Sequence, residues 1–180
     1  MIKIAITLPT FFPEEPKCIC KVLDSGYDFL HLRKPSATQS QVEGLLNAIP
    51  SSYYPRIVLH DFFDLSRSFS LRGVHLNARN PFVPADHCGT ISASCHSLEE
   101  VLIRKASCDY VFLSPIFDSI SKANYSAAFS LSELKEAADC GIIDEKVFAL
   151  GGVTPGLYPT IEQLRFGGVA LLGYVWKPFL

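Results

Sequence analysis

Apolar runs of strand length recur along this chain, and stretches with helical spacing separate them. Runs at residues 2–8, 29–32, 56–59, 73–76, 89–93, 110–113, 146–150 and 169–172 are rich in β-branched and aromatic residues. Between them, residues 14–25, 38–48, 62–69, 98–105, 131–138 and 159–165 suit helices, with Gly26 placed to end the first. Residues 77–88 break the rhythm: they carry two prolines and little periodicity, so a loop is expected where a fourth helix would stand.

Eight β/α alternations predict parallel strands joined by right-handed crossovers. Eight is also the number that closes a barrel. The expectation is a single (β/α)8 TIM barrel over residues 1–180, with a reduced fourth helix and a truncated eighth helix after Trp176. The chain has 180 residues, below the roughly 200 to more than 400 usual for this fold, and the two missing helices account for the shortfall. A doubly wound open sheet is the alternative architecture.

In such a barrel the chemistry sits at the carboxyl ends of the strands. Ser94-Cys95-His96-Ser97-Leu98-Glu99-Glu100 follows the fifth strand, with Ser97 as N-cap and Glu100 three residues on, the pattern of a capping box. That spacing puts His96 at the active face, where a base is useful, although a lone histidine also serves structurally. Cys95, one residue before it, should point away from the lumen if His96 points in. His31 and Arg33 share a side of the second strand, and that side is either lumen or solvent. A buried Arg33 would require an anion, and its fork suits carboxylate or phosphate.

Gly151-Gly152 and Gly173 follow the seventh and eighth strands, where this fold commonly binds phosphate through backbone N–H groups. Plain turns would use the same glycines. Ser119-Ile120-Ser121-Lys122 reads as either a gripping lid or a solvated loop. His60-Asp61 ends the third strand and His75 lies in the fourth, so several imidazoles gather near strand ends. Their spacing matches no known metal-ligand pair, and hydrogen-bonded wall residues are expected rather than a transition-metal site.

Composition narrows the class. A net charge of −2 gives no electrostatic case for a nucleic-acid partner. No apolar run reaches membrane length, and the first residues enter a strand directly, without the pattern of a signal peptide. Six scattered cysteines lack a disulfide framework and read as thiols of a cytoplasmic protein. With 48% hydrophobic and only 19% charged residues, a homodimer burying part of the surface is compatible.

These segments, taken in order, resemble the thiamin phosphate synthase/TenI superfamily of small barrels. The likeness covers residues 29–34, 57–64, 73–76, 92–100, 109–117 with 119–122, 149–154 and 167–173. The resemblance implies one of two activities. The synthase branch couples hydroxymethylpyrimidine diphosphate to a thiazole phosphate and uses Mg²⁺. The TenI branch, thiazole tautomerase, aromatises a carboxythiazole phosphate with a histidine and no metal. The synthase pattern Gln-x-Arg-x-Lys reads here His31-Leu32-Arg33-Lys34-Pro35, and its Asn-Asp reads His60-Asp61. Its Gly-Gln-x-Asp, which supplies a metal ligand, reads Asn77-Ala78-Arg79-Asn80. The TenI pattern fits better: His-x-Arg is His31-Leu32-Arg33, and Ser-x-His-Ser-Leu-Glu-Glu is residues 94–100.

The resemblance therefore implies a tautomerase with His96 as acid/base and no cofactor. Its substrate, a thiazole phosphate, would be held by His31, Arg33, His60, Asp61, Ser94, Ser119, Ser121 and Lys122, with the phosphate on Gly151, Gly152 and Gly173. A synthase, needing Mg²⁺ with Asp61 as its ligand, is the first alternative. A non-catalytic binder of thiazole or thiamin phosphates is the second, and a barrel lyase or isomerase of another phosphorylated substrate remains open.

Overall fold

The computed structural model describes residues 1–118 and 127–179. Eight parallel strands close into a barrel in sequence order: β1 (Ile2–Ile6), β2 (Phe29–Leu32), β3 (Ile57–Leu59), β4 (Gly73–Leu76), β5 (Thr90–Cys95), β6 (Tyr110–Leu113), β7 (Val147–Leu150) and β8 (Gly168–Leu171). Register runs without a break from Ile4 opposite Phe29 to Ile4 opposite Ala170, so β8 returns to β1 and no sheet edge is left open. The open-sheet alternative is thereby overturned.

Helices α1 (Glu15–Asp24), α2 (Gln39–Asn47), α3 (Asp64–Ser68), α4 (Leu98–Lys105), α5 (Leu131–Asp139), α6 (Tyr158–Gln163) and α7 (Gly173–Trp176) form the outer layer. No helix joins β4 to β5; Asn77 and Asn80 instead close a tight turn through an isolated bridge. The eighth crossover is reduced to the single turn of α7, as the sequence suggests. Trp176 on it is fully buried and donates its indole N–H to the Ile6 carbonyl at 2.7 Å. A short 3-10 turn, Ser51–Arg56, was not expected.

Strand alternation separates two cores. Outward residues such as Leu30, Leu59, Val111 and Ala149 pack beneath the helices. Inward residues fill the lumen, and the lumen is divided. On β1 and β6 to β8 it is apolar and aromatic: Ile4, Ile6, Tyr110, Phe112, Phe148 and Ala170. On β2 to β5 it is polar, with buried His31, His60, His75 and Ser92.

One buried charge pair ties β2 to the first helix. Lys34 Nζ lies 2.6 Å from Glu15 Oε1 and also donates to the Thr10 carbonyl, and both side chains are about 1% exposed or less. Burial pushes the Glu15 carboxyl up and the Lys34 ammonium down, and each partner opposes the shift of the other. Removing one partner strands a charge out of water. Lys34→Ala is therefore expected to lower unfolding stability by about 3–5 kcal/mol in denaturant titrations. The double change Lys34→Met with Glu15→Leu should recover most of the loss.

Candidate active site

A cavity of about 490 Å³ opens at the carboxyl ends of the strands. Its wall includes Arg33, His60, Ser94, His96, Gly151, Gly152 and Gly173, so seven of the residues anticipated from the sequence meet there. His31 and Asp61 are not on that wall. His31 lies in the lumen and is fully buried, while Asp61 is turned into an ion pair beside the mouth. Ser119, Ser121 and Lys122 lie outside the described residues. The sequence reading missed Asn77, Arg79, Phe112 and Ser114 as wall residues.

His96 meets Ser114 through one ring nitrogen: its Nδ1 lies 3.1 Å from the Ser114 carbonyl and 3.3 Å from the Ser114 hydroxyl. The carbonyl can only accept, so a proton on Nδ1 satisfies it and leaves Nε2 as the nitrogen without a protein partner in that contact. The anticipated helix cap forms in modified shape. Ser97 Oγ accepts from the Glu100 N–H at 3.2 Å, but the Glu100 carboxylate reaches past Ser97 to the His96 N–H at 2.6 Å. The first turn of α4 thus fixes the backbone of His96 itself. Cys95 points outward into the core between sheet and helices, and burial pushes its thiol up to about 12, which leaves it inert as a nucleophile.

Below the cavity the imidazoles satisfy one another. His31 Nδ1 meets His60 Nε2 at 2.9 Å, and His31 Nε2 meets the Tyr110 hydroxyl at 2.7 Å. His75 bonds Ser92 Oγ and Ser94 Oγ through its two nitrogens, each at 2.8 Å. Burial holds all three rings well below the usual histidine range, His75 down to about 3. They are neutral at physiological pH.

One nitrogen from each of His31, His60 and His75 lies within 4.8 Å of the others. A shared ion would have to lie in the plane of every ring that ligates it. The His60 and His75 rings are stacked, 4.2 Å apart and tilted by only 20°, so their planes do not meet near the rings. The three histidines therefore form a hydrogen-bonded cluster whose lone pairs do not converge on one metal.

On the other side of the mouth, Gly151 and Gly152 have φ of +95° and +66°. A Cβ on Gly152 would come within 2.4 Å of the Asp118 carbonyl. The loop after β7 thus needs glycine both for its turn and for its approach to the loop after β6. That structural demand coexists with the position of both glycines on the cavity wall.

Comparison with known proteins agrees with this architecture. The profile of a family described as thiamine monophosphate synthase (TMP-TENI) matches residues 5–175. The chain belongs to that family. It is 26% identical over 173 residues to a thiamine-phosphate synthase of Bacteroides thetaiotaomicron, covering 86% of this chain and 80% of that one. A solved structure titled as a thiamine phosphate pyrophosphorylase of the same species superposes with a TM-score of 0.90 at 46% identity, over 100% of this chain and 87% of the other. A Pyrococcus furiosus thiamine phosphate pyrophosphorylase superposes at 0.75 with 19% identity, over 95% and 85%, which speaks for the fold alone. The chain is thus an enzyme of the thiamin-biosynthetic family. The names of its relatives favour the synthase alternative over the tautomerase.

The synthase reading implies Mg²⁺, and among the described residues those after β3 and β4 do not fit it. Arg79 Nε and Nη2 donate to the two carboxylate oxygens of Asp61, each at 3.0 Å, and Asn80 Nδ2 adds a bond to Oδ1 at 2.9 Å. The carboxylate that would serve Mg²⁺ is already paired, and Asn80 offers a neutral amide where the synthase pattern has an acid. Among the described residues no helix is long and apolar enough to cross a membrane.

The neutral histidines make stability depend on pH. Their folded-state values lie below the unfolded value near 6.5, so only the unfolded chain takes up protons as pH first falls below it. Stability should be full above about pH 6.5 and fall below it, with a limiting slope of about 4 kcal/mol per pH unit for three sites. Denaturant melts between pH 7 and pH 5 measure this; a flat profile would mean that the rings charge freely in the folded protein.

Proposed function

We propose that this family member relocates a proton on a phosphorylated carboxythiazole, acting as a thiazole tautomerase. The observation that carries the reading is the place of His96 on the cavity wall: its Nδ1 is engaged by Ser114, and Nε2 is the nitrogen this reading uses to exchange a proton with the ligand. In this reading Nε2 takes a proton from a ring carbon, the electron pair moves into the ring, and the same nitrogen returns a proton to the exocyclic carbon. The step is an isomerisation and requires no oxidant or metal. Aromatisation of the product drives it. Backbone groups of Gly151, Gly152 and Gly173 hold the phosphate, and Arg33 lies where it can meet a carboxylate.

The inert Cys95 thiol and the paired state of Asp61 support the reading from the other direction, because neither of these two groups stands ready for covalent or Mg²⁺-assisted chemistry.

A second reading, thiamin phosphate synthase, is favoured by the names of the relatives. One pair of assays separates them. Carboxythiazole phosphate tautomer in deuterated buffer with EDTA should aromatise, with deuterium entering the side chain by NMR. The pyrimidine diphosphate with thiazole phosphate and Mg²⁺ should release no diphosphate. The opposite pair of results would establish the synthase. His96→Gln is expected to cost the tautomerase about 10²–10⁴-fold in kcat with little change in ligand Kd.

A further inference from the structure

Two guanidinium groups and one carboxylate meet on one side of the cavity mouth. Arg33 follows β2, Asp61 follows β3 and Arg79 follows β4. The turn that replaces the fourth helix holds Arg79 in place. Asn77 Oδ1 accepts from the Arg79 backbone N–H at 3.0 Å, and Asn77 Nδ2 donates to the His60 and His75 carbonyls at 2.8 and 3.1 Å. Asn80 Nδ2 donates to the His60 carbonyl at 3.1 Å and to Asp61 at 2.9 Å. Arg79 then closes a two-pronged pair on Asp61, whose side chain is 14% exposed while that of Arg79 is 42% exposed.

A guanidinium carries five N–H donors, and this pair uses two of them. The remaining donors sit on a group that lines the cavity with Arg33. Charge does not balance there. Burial depresses Arg33, the neighbouring Arg79 depresses it further, and Asp61 compensates only one of the two cations. An oxyanion is the chemical partner that restores neutrality.

We propose that Arg79, clamped by Asp61 and assisted by Arg33, forms a metal-independent oxyanion site in the position where a divalent ion would otherwise serve. Its ligand is the end of the substrate remote from the glycine loops. In barrel order β3 and β4 stand four strands from β7 and β8, so the two anion-holding ends lie on opposite sides of the mouth. A carboxylate and a diphosphate share the required chemistry. The site does not depend on the tautomerase reading, because its test is binding rather than turnover.

The test is calorimetric titration of the full chain with inorganic diphosphate and, separately, with oxalate, each in EDTA and in Mg²⁺. The wild-type protein should bind at least one probe with the same affinity in EDTA as in Mg²⁺. Arg79→Gln should weaken that binding by at least about tenfold while the protein still melts as a cooperatively folded chain, since Asn80 continues to bond Asp61. The double change Arg79→Ala with Asn80→Asp frees Asp61 beside a second acid, and it should bind diphosphate only when Mg²⁺ is present. Preference for diphosphate would assign the site to a diphosphate group, and preference for oxalate to a carboxylate. Binding by the wild type only in Mg²⁺, no binding of either probe, or unchanged affinity in Arg79→Gln would overturn the proposal.

Discussion

The burial of imidazole in half of the barrel lumen is the constraint on which the site depends. A ring taken out of water must keep its hydrogen bonds, and three rings packed against one another can keep them only by serving one another and nearby hydroxyls. His31 joins His60 to Tyr110, and His75 joins Ser92 to Ser94. Tyr110 is the seam of this arrangement. Its ring stacks on Phe148 in the apolar half, with centroids 4.8 Å apart, while its hydroxyl enters the polar half. The cavity above therefore has a floor that is neutral on both sides and polar on only one.

That floor explains why the charges of the site stand at its rim. The buried rings stay uncharged, so they neither repel Arg33 and Arg79 nor compensate them. The carbonyl of His60 instead accepts from both Asn77 and Asn80, so the cluster below anchors the turn that carries Arg79. The β4–β5 connection could lose its helix because this turn satisfies its own polar groups against the strand ends. What is gained at that position is a rigid cation. A guanidinium fixed by a carboxylate offers directed donors at a set distance, whereas a divalent ion requires several oxygen ligands, of which Asn80 would supply only a neutral one.

The eight-fold alternation was legible from the sequence because inward and outward residues differ in kind. Outward positions are Leu, Ile, Val and Ala, which pack beneath helices; inward ones mix histidine, serine and aromatics. The broken period after β4 likewise announced a missing helix. Strand ends were less legible. β5 extends to Cys95 rather than stopping at Ala93, because Ser94 continues the ladder while its hydroxyl serves His75. The place of His96 on the cavity wall was legible from the helix start beside it, but the partner of its Nδ1, the Ser114 carbonyl, is a backbone atom 18 residues away. No side-chain pattern could disclose that. His31 and Arg33 read as equivalent neighbours on one strand face, yet one lies in the closed lumen and the other at the mouth, since depth along a strand is not encoded by alternation. Lys34 stood close to a position where the synthase pattern has lysine; its ammonium is instead committed to Glu15 beneath the first helix.

The order of the strands joins these features into one geometry. The Arg79 turn follows β4 and the glycine loops follow β7 and β8, so a ligand held at both ends lies across the mouth. His96 follows β5, between those two anchors on the ring of strands. His96 lines the cavity between the loops that carry those anchors, so it is available to the part of such a ligand that neither anchor holds. On the proposed tautomerase reading, a base in that place would meet carbon-bound protons of the heterocycle while the anionic groups are engaged elsewhere. Donors fixed before a ligand arrives remove the cost of ordering them on binding, so the proposed proton transfer would need only one imidazole, set between two anchors that already hold the ligand.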